Sequence, residues 1–360
     1  MKYGLIVCVL IVLLTQCDAE KRKVHELDEV ASNLLPDSLE KYQEFINQNY
    51  QIFAIPLPRH LTFCGEIVPL DNLFVRENLD KEILINTYWH SNTFLYQKRA
   101  TRWFPIIERI LIENKMPEDL KYLALIESGL DNVESPAGAA GFWQFLASTG
   151  RGYGLEINEF VDERYNIEKA TKAACDYLKV AHKQFGSWSL AAASYNMGKG
   201  GLNHQLTKQK VDSYYELYLN KETSRYVYRI LAAKLILSNS DNFGFSLRNK
   251  DYYRPYKTYT VYVDSAISNL VQFALSQGSN YATMRHLNPW ILGNKLPNST
   301  QKSYEIKFPK GNFHIDEWAE KPDTSENENE IENLSDSTTS RATDSLNLLR
   351  KSDTNLIQIN

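Results

Sequence analysis

The sequence predicts a mainly α-helical protein that carries a small α+β module near its C-terminal end. Apolar residues recur at helical spacing through most of residues 73–238, whereas residues 256–264 and 304–308 alternate between polar and apolar in the manner of strands. A chain of 360 residues is long enough for two or three domains with a buried core. The net charge of −4 favours no nucleic-acid partner.

The first residues predict export from the cytoplasm. Lys2 precedes an apolar run from Leu5 to Leu14, which is too short to span a membrane and is typical of a signal peptide covering residues 1–17. The run ends in Leu-Thr-Gln-Cys, which resembles a lipoprotein cleavage box with Cys17 as the lipid acceptor. Gln16 departs from the small residue usual in such a box, so lipid anchoring and plain export both stay open.

Composition divides the rest of the chain. Residues 18–65 form a predicted N-terminal tether with loops, residues 66–250 a helical domain and residues 251–310 the α+β module. Residues 311–360 carry few large apolar side chains, and we expect them to be disordered. Pro105 is predicted to kink its helix or to begin a new one. The predicted helices are Leu73–Trp89, Thr93–Asn114, Pro117–Ser128, Asn166–Phe185, Trp188–Met197, Tyr215–Ser238, Ala266–Gln277 and Tyr281–Leu287.

One carboxylic acid lies on a helix that is otherwise apolar nearly all round. This helix begins at Pro117 and ends before Gly129, and its last turn contains Glu127. Glu127 follows Leu123 by four residues and Leu120 by seven, so it shares their inward stripe. Burial raises the pKa of a glutamate, and a glutamate that keeps its proton near neutral pH can act as a general acid. The alternative is a carboxylate at the helix end that turns to water.

Three separated motifs carry a family resemblance. They are IESGL at 126–130, GFWQF at 141–145 and AASYNMG at 192–198. Together they resemble the active-site signature of lytic transglycosylases of the goose-type lysozyme fold, and most closely the membrane-bound lytic transglycosylase D type. The stretches MPEDL and ETSRYV agree with that branch, and the similarity covers residues 79–245. The resemblance implies a lysozyme-like, all-helical catalytic domain. The pattern of strand, two helices and strand that follows resembles a degenerate LysM module, the alternative being a small appendage that packs on the enzyme.

The resemblance also implies the reaction and its substrate. The substrate would be peptidoglycan glycan strands, cleaved between N-acetylmuramic acid and N-acetylglucosamine without water. Glu127 would act as the single acid and base, first protonating the glycosidic oxygen and then taking the proton of the C6 hydroxyl, which closes a 1,6-anhydro ring. No cofactor is implied, and the sequence contains no cluster of histidine and cysteine that predicts a metal site.

Residue roles carry over by position in these motifs. The resemblance implies that the Tyr195 hydroxyl bonds the catalytic carboxyl, and that Ser128 and Gln144 orient the acid and the sugar. Glu222 of ETSRYV is expected to contact substrate or to cap its helix. Asp131 and Glu134 are expected in an exposed loop rather than as a second catalytic acid. Asn196 of the same motif would hold an N-acetyl group or the local turn. Three further motif residues would line the pocket or pack in the core, namely Phe142, Trp143 and Met197.

Two other functions stay open on the sequence alone. One is a non-catalytic peptidoglycan-binding or scaffold protein, and the other is a lysozyme-type muramidase that hydrolyses the same bond. The resemblance implies a monomer in the periplasm of a bacterium with murein, and a lipid at Cys17 would place it on the outer membrane. Cys64 and Cys175 are predicted to be unpaired thiols, although export would permit a disulfide.

Overall fold

The computed structural model describes residues 54–311, which are mostly helical. The predicted signal peptide, Cys17 and residues 312–360 lie outside the described residues. The helices, in chain order, are α1 (Leu73–Tyr88), α2 (His90–Glu113), α3 (Lys121–Ser128), α4 (Ala147–Gly152), α5 (Ile167–Phe185), α6 (Trp188–Met197), α7 (Lys199–Gln209), α8 (Thr223–Ser238), α9 (Leu270–Ser276) and α10 (Tyr281–Leu287). The strands are β1 (Thr62–Phe63), β2 (Glu66–Ile67), β3 (Thr258–Val263) and β4 (Tyr304–Pro309).

Most predicted helices are confirmed, and the differences have local causes. The predicted helix Tyr215–Ser238 was wrong at its start, because α8 begins at Thr223. Asn220 explains this boundary, since its side chain accepts from the backbone N–H of Thr223 at 2.9 Å. Helix α2 runs through Pro105 as one element, with the proline on its exposed side. Helix α7 was not predicted, because its few apolar residues do not form a clear stripe along one face. Only Leu202 of this helix is buried.

The helical part is built around the helix that carries Glu127. Residues 121–126 of α3 are all buried, and residues 122–126 pack in one large hydrophobic cluster, as the apolar pattern predicts. Helices α1 and α8 cover this cluster together, and an ion pair between Glu82 and Arg225 joins them. Glu82 is only 1 % exposed, so removing Arg225 would leave a costly buried carboxylate.

The C-terminal module has its own hydrophobic cluster. Strands β3 and β4 pair antiparallel, with Val261 opposite Ile306, and α9 and α10 lie between them in sequence. This order of strand, two helices and strand confirms the predicted α+β module. Val161 of the helical part joins the module's cluster and forms a bridge to Ile291. The exact domain boundaries at residues 66, 250 and 310 stay predictions.

The structure describes both cysteines that follow the predicted signal peptide. Cys64 and Cys175 are both free thiols, as predicted. Within residues 54–311, no helix combines the length and the apolar character needed to cross a bilayer.

Candidate active site

Glu127 lies in the last turn of α3, where the helix is stopped by a glycine. Gly129 adopts a left-handed conformation with φ 64°, and its N–H donates to the carbonyl of Leu125 at 2.8 Å. This ending is available to glycine at little cost and directs the chain away from the helix axis. Glu127 itself is partly exposed to solvent, while the six residues before it are buried. Leu120 and Leu123 of the predicted inward stripe are fully buried, whereas Glu127 at its end keeps some contact with solvent.

A tyrosine from a distant part of the chain bonds the carboxyl of Glu127. The hydroxyl of Tyr226, in α8, donates to Oε1 of Glu127. Burial raises the pKa of Glu127 from 4.5 to about 7, and the Tyr226 hydrogen bond and the Arg229 charge act in the opposite direction. The pKa of Tyr226 is raised well above its usual value, chiefly by burial, so the phenol is the proton donor in this pair. The acid is therefore poised to give and take a proton near neutral pH.

Two charged residues, one in α8 and one directly before it, change the pKa of Glu127 in opposite directions. The guanidinium of Arg229 donates to the carbonyl of Ile126 at 2.8 Å, and its charge lowers the pKa of Glu127. The charge of Glu222 raises that pKa. Since Tyr226 and Arg229 are three residues apart, they share one face of α8. Burial therefore has the largest effect on the pKa of Glu127, and residues about a hundred positions later in the chain modify it.

The glycine-rich segment is fastened to α3 and to a buried arginine. Oγ of Ser128 donates to the carbonyl of Phe142 at 2.9 Å, which ties the segment to the helix that carries the acid. Arg164 donates to the carbonyls of Gly138 at 2.7 Å and Phe145 at 3.1 Å, while it pairs with Asp162. Segment 138–145 is therefore fixed at both ends by one side chain.

Close approach explains the glycine of GFWQF. Gly141 has φ 78°, and a Cβ at this position would lie 1.9 Å from the carbonyl oxygen of Arg164. Gln144, three residues on, also has a positive φ of 48°, which is unusual for a residue with a side chain. Its Nε2 donates to the carbonyls of Val133 and Gly141, each at 2.9 Å. The amide therefore braces the loop, and its predicted contact with sugar stays a prediction.

The predicted bond from Tyr195 to the catalytic carboxyl was wrong. The Tyr195 hydroxyl donates to the carbonyl of Trp143 at 2.8 Å, and the bond to Glu127 comes from Tyr226 instead. Tyr195 nevertheless lies close enough for the charge of Glu127 to raise the pKa of its phenol, after the larger effect of burial. Its helix α6 is held at its N-terminus by Glu66, whose carboxylate accepts from the backbone of Trp188.

Trp143 belongs to the core rather than to a substrate-facing wall. It is fully buried, and its indole N–H donates to Oγ1 of Thr171 at 2.9 Å. The prediction that Trp143 binds substrate therefore does not fit its position, because no ring face reaches solvent. Phe142 is also buried, and its ring meets Trp103 edge to face at 5.0 Å. Met197 is half-buried at the C-terminal end of α6.

Asn196 and Glu222 are joined directly. Nδ2 of Asn196 donates to Oε1 of Glu222 at 2.8 Å, and its Oδ1 accepts from the hydroxyl of Thr223 at 2.7 Å. The structure therefore brings the motif of α6 to the start of α8. The side-chain oxygen and nitrogen of Asn196 both form hydrogen bonds within the protein, and the bond from its nitrogen orients Glu222. The predicted contact of Asn196 with an N-acetyl group stays a prediction.

Two other acids considered near Glu127 are used elsewhere. Asp131 pairs with Arg99 at 2.7 Å in a loop, and half of its side chain is exposed to solvent, in agreement with the prediction. Glu134 is exposed, as predicted. Within residues 54–311, no group of three or more histidine, cysteine, aspartate or glutamate side chains is placed to hold a metal ion.

Sequence reasoning missed Tyr226 and Arg229. Tyr226 lies four residues after Glu222 in ETSRYV, so the motif contained it, but nothing in the local pattern says that this phenol reaches a carboxyl in α3. Both residues become functional candidates only when α8 packs beside α3. The site therefore consists of Glu127, Tyr226 and Arg229, with Ser128, Tyr195 and the Asn196–Glu222 pair around it.

Known proteins share two regions of this chain. Residues 104–217 match the family described as Transglycosylase SLT domain, and residues 259–312 match the family described as Soluble lytic transglycosylase C-terminal LysM-like domain. The sequence is 30 % identical over 232 residues to "Membrane-bound lytic murein transglycosylase D" of Escherichia coli K12, which covers 63 % of this chain and 50 % of that protein. The chain thus spans about half of the length of these relatives.

Solved structures with a related arrangement include two soluble lytic transglycosylases. The enzyme SLT70 of Escherichia coli is 16 % identical with a TM-score of 0.36, and the match covers 67 % of this chain and 48 % of that one. The enzyme Slt of Pseudomonas aeruginosa is 20 % identical with a TM-score of 0.30, over 44 % of this chain and 26 % of that one.

Proposed function

We propose that this protein is a peptidoglycan lytic transglycosylase, whose region similar to the SLT domain holds one partly buried carboxylic acid, Glu127. It cleaves the β-1,4 bond between N-acetylmuramic acid and N-acetylglucosamine and leaves 1,6-anhydro-muramic acid ends. The observation that carries the proposal is the position of Glu127 within the domain match, with a pKa raised to about 7 by burial and a phenol bonded to its carboxyl. The similarity to the lytic murein transglycosylase D supports the same substrate.

The proton steps use one residue twice. Protonated Glu127 donates to the glycosidic oxygen, and the bond to C1 of the muramic acid breaks. The carboxylate that results accepts the hydrogen bond of Tyr226 and lies near the charge of Arg229, and both favour its charged form. Glu127 then removes the proton of the C6 hydroxyl as that oxygen bonds C1, which restores the acid. No water molecule is needed in either step.

The single acid distinguishes this reaction from ordinary hydrolysis. A muramidase with two carboxylates needs a second acid that faces the sugar across the scissile bond. Asp131 is neutralised by Arg99, and Glu222 is held by Asn196. Both acids therefore have structural partners, whereas Glu127 has only a phenol on its carboxyl. This difference favours the transglycosylase over the hydrolase.

Product analysis tests the proposal. Purified murein digested with the full chain should release fragments with 1,6-anhydro ends. These ends are about 18 mass units lighter than reducing ends because they lack one water molecule, and mass spectrometry resolves this difference. Glu127→Gln should abolish release because the nearly isosteric amide cannot donate a proton, while binding to murein persists. Reducing ends would identify a hydrolase, and unchanged release by the Gln variant would remove Glu127 from the mechanism.

The protein's location is part of the same proposal. Lys2 and the apolar run to Leu14 support export, and a relative described as membrane-bound supports attachment to a membrane. We place the protein in the periplasm as a monomer, held on the outer membrane by a lipid at Cys17. Membrane fractions from cells with Cys17→Ser should then lose the protein to the soluble fraction, and retention in the membrane would contradict the lipid anchor.

A further inference from the structure

A cavity lies between the helical part and the C-terminal module, away from Glu127. Its volume is about 850 Å³, and its walls come from α2, the loop after Leu130, the start of α5 and the module. Ligand sites of roughly 300–1,000 Å³ are typical of proteins, so the cavity is large enough for a short peptide. The cavity adjoins the candidate active site through Asp131 and Phe142, but Glu127, Tyr226 and Arg229 are not among its lining residues.

Ion pairs hold the two walls of the cavity together. Lys307 of β4 pairs with Glu168 of α5, and both residues line the cavity. Close by, Lys302 pairs with Glu156 at 2.5 Å, and the Tyr304 hydroxyl donates to the same carboxylate at 3.0 Å. The space is therefore bounded by specific contacts between the module and the helical part.

One arginine in the wall has no acidic partner. Other cations of the lining are neutralised, Arg99 by Asp131 at 2.7 Å and Arg109 by Glu113 at 2.9 Å. Arg102, on the same helix α2, forms no ion pair with any acid of residues 54–311. Its charge is therefore available to an anion that enters the cavity.

The guanidinium of Arg102 is oriented by its neighbours. Its Nε donates to the carbonyl of Arg254 at 2.9 Å and its Nη1 to the hydroxyl of Tyr256 at 2.8 Å. Its central carbon lies 4.1 Å from the ring centroid of Tyr256 and 5.1 Å from that of Tyr253. These bonds leave the hydrogens of Nη2 unused within the described part of the chain. A fixed, planar donor of this kind suits a carboxylate.

Apolar and aromatic groups flank this cation. Trp103 is half-buried and meets Tyr256 edge to face at 5.9 Å, while Ile106 lines the cavity one turn further along α2. Aliphatic side chains and flat amide groups pack well on such surfaces. A ligand that offers a carboxylate together with short apolar side chains therefore matches the lining better than a neutral sugar.

We propose that this cavity binds an acidic peptide, whose carboxylate is held by Arg102. Resting on the proposed function, the inference assigns the peptide to the stem peptide of murein, which carries free carboxylates beside alanine methyl groups. Arg99 connects the cavity to the catalytic helix, since its Nη1 donates to the carbonyl of Gly129 at 3.1 Å. A bound stem peptide thus contacts the wall that supports the loop directly after Glu127.

Calorimetric titration of the full chain tests the proposal. The probes are a murein disaccharide tetrapeptide, the free tetrapeptide, an unrelated acidic tetrapeptide and an N-acetylglucosamine trisaccharide. The disaccharide tetrapeptide contains no bond that a transglycosylase cleaves, so binding is measured without turnover. The two stem-peptide probes should bind, and the trisaccharide should not compete with them. Equal binding of the unrelated peptide would overturn the assignment to murein.

Variants locate the binding to the cavity. Arg102→Leu should weaken stem-peptide binding at least about tenfold, the effect of losing one hydrogen bond between charged groups. Ile106→Trp should weaken it by filling the space while leaving Arg102 unchanged, which covers the case that the first variant folds poorly. Arg109→Leu, on the same helix but paired with Glu113, should change binding less than about threefold.

The outcomes separate this inference from the proposed function. Full affinity in both Arg102→Leu and Ile106→Trp, or no binding of either stem-peptide probe, would overturn the cavity site. Cleavage of murein to anhydro products would be unaffected by that result. Conversely, stem-peptide binding that depends on Arg102 in a protein that releases only reducing ends would keep the cavity site and reject the transglycosylase.

Discussion

The hydroxyl of Tyr226 donates to the carboxyl of Glu127, across 99 residues of sequence. Tyr226 is buried in α8 and Glu127 lies at the end of α3, so the pair forms only when these helices pack together. The phenol fixes one carboxyl oxygen and favours the charged form of the acid. The other oxygen is then oriented by the same contact, which is what proton transfer to a sugar requires.

Tyr226→Phe should reduce kcat for murein on the order of ten- to a hundredfold, because the carboxyl loses the contact that orients it. Losing this hydrogen bond also removes an effect that lowers the pKa of Glu127, so that pKa should rise further. Tyr195→Phe is the matched control, since its hydroxyl bonds the Trp143 carbonyl instead. It should cost about 1 kcal/mol of unfolding free energy and affect kcat less. Steady-state kinetics that rank the two variants in the reverse order would contradict the assignment.

Activity should decline as the pH rises through about 7. Glu127 must be protonated to donate in the first step, and burial raises its pKa to about 7. Above that value the protonated fraction, and with it kcat/KM, should fall by about tenfold for each pH unit. The measurement is kcat/KM between pH 5 and pH 9 in buffers of constant ionic strength. A decline centred near 4.5, the ordinary glutamate value, would show that the acid is not enclosed in solution.

Two substitutions, one in α8 and one at the residue directly before it, should move this pH profile in opposite directions. Arg229→Leu removes a charge that lowers the pKa of Glu127, so the alkaline decline should shift to higher pH. Glu222→Gln removes a charge that raises the pKa, so the decline should shift to lower pH. Arg229→Lys keeps the charge and should shift it less than Arg229→Leu. Parallel shifts in all three variants would point to a change of structure rather than of charge.

Gly141→Ala should destabilise the protein by roughly 2–4 kcal/mol, because its Cβ would lie 1.9 Å from the backbone carbonyl oxygen of Arg164 and the backbone has a positive φ. Gly138→Ala has almost the same φ, 77°, but open space around it. It should therefore cost only about 1–2 kcal/mol, the penalty of the left-handed conformation alone. Urea unfolding of both variants measures the difference, and equal losses would mean that the close approach is relieved by a shift of the loop.

Helices and the acid could be predicted because their signals are local. The apolar stripe of α3 placed Glu127 in the last turn of a helix whose preceding residues are buried. Strands β3 and β4 were visible from alternation alone. Each of these features depends on residues that lie within a few positions of one another.

Contacts between distant segments could not be predicted in the same way. The choice between Tyr195 and Tyr226 as the partner of Glu127 depends on how α6 and α8 pack against α3, and both phenols belong to motifs. The sequence is equally compatible with a Trp143 ring that faces substrate and with one that packs in the core. Only the three-dimensional structure, in which the Trp143 indole bonds Thr171, assigns it to the core. The ion pair of Asp131 with Arg99 is likewise a long-range contact that no local pattern contains.

The two bonds from Arg164 have a consequence for turnover. Because its guanidinium already spans the carbonyls of Gly138 and Phe145, this stretch of backbone loses its conformational entropy once, when the protein folds. On the proposed function, we expect a glycan that binds beside this segment to meet a surface that needs no rearrangement, so that its binding energy remains available for distorting the sugar ring. We therefore expect the hydrogen bonds of Arg164 to keep residues 138–145 in one conformation through the whole catalytic cycle.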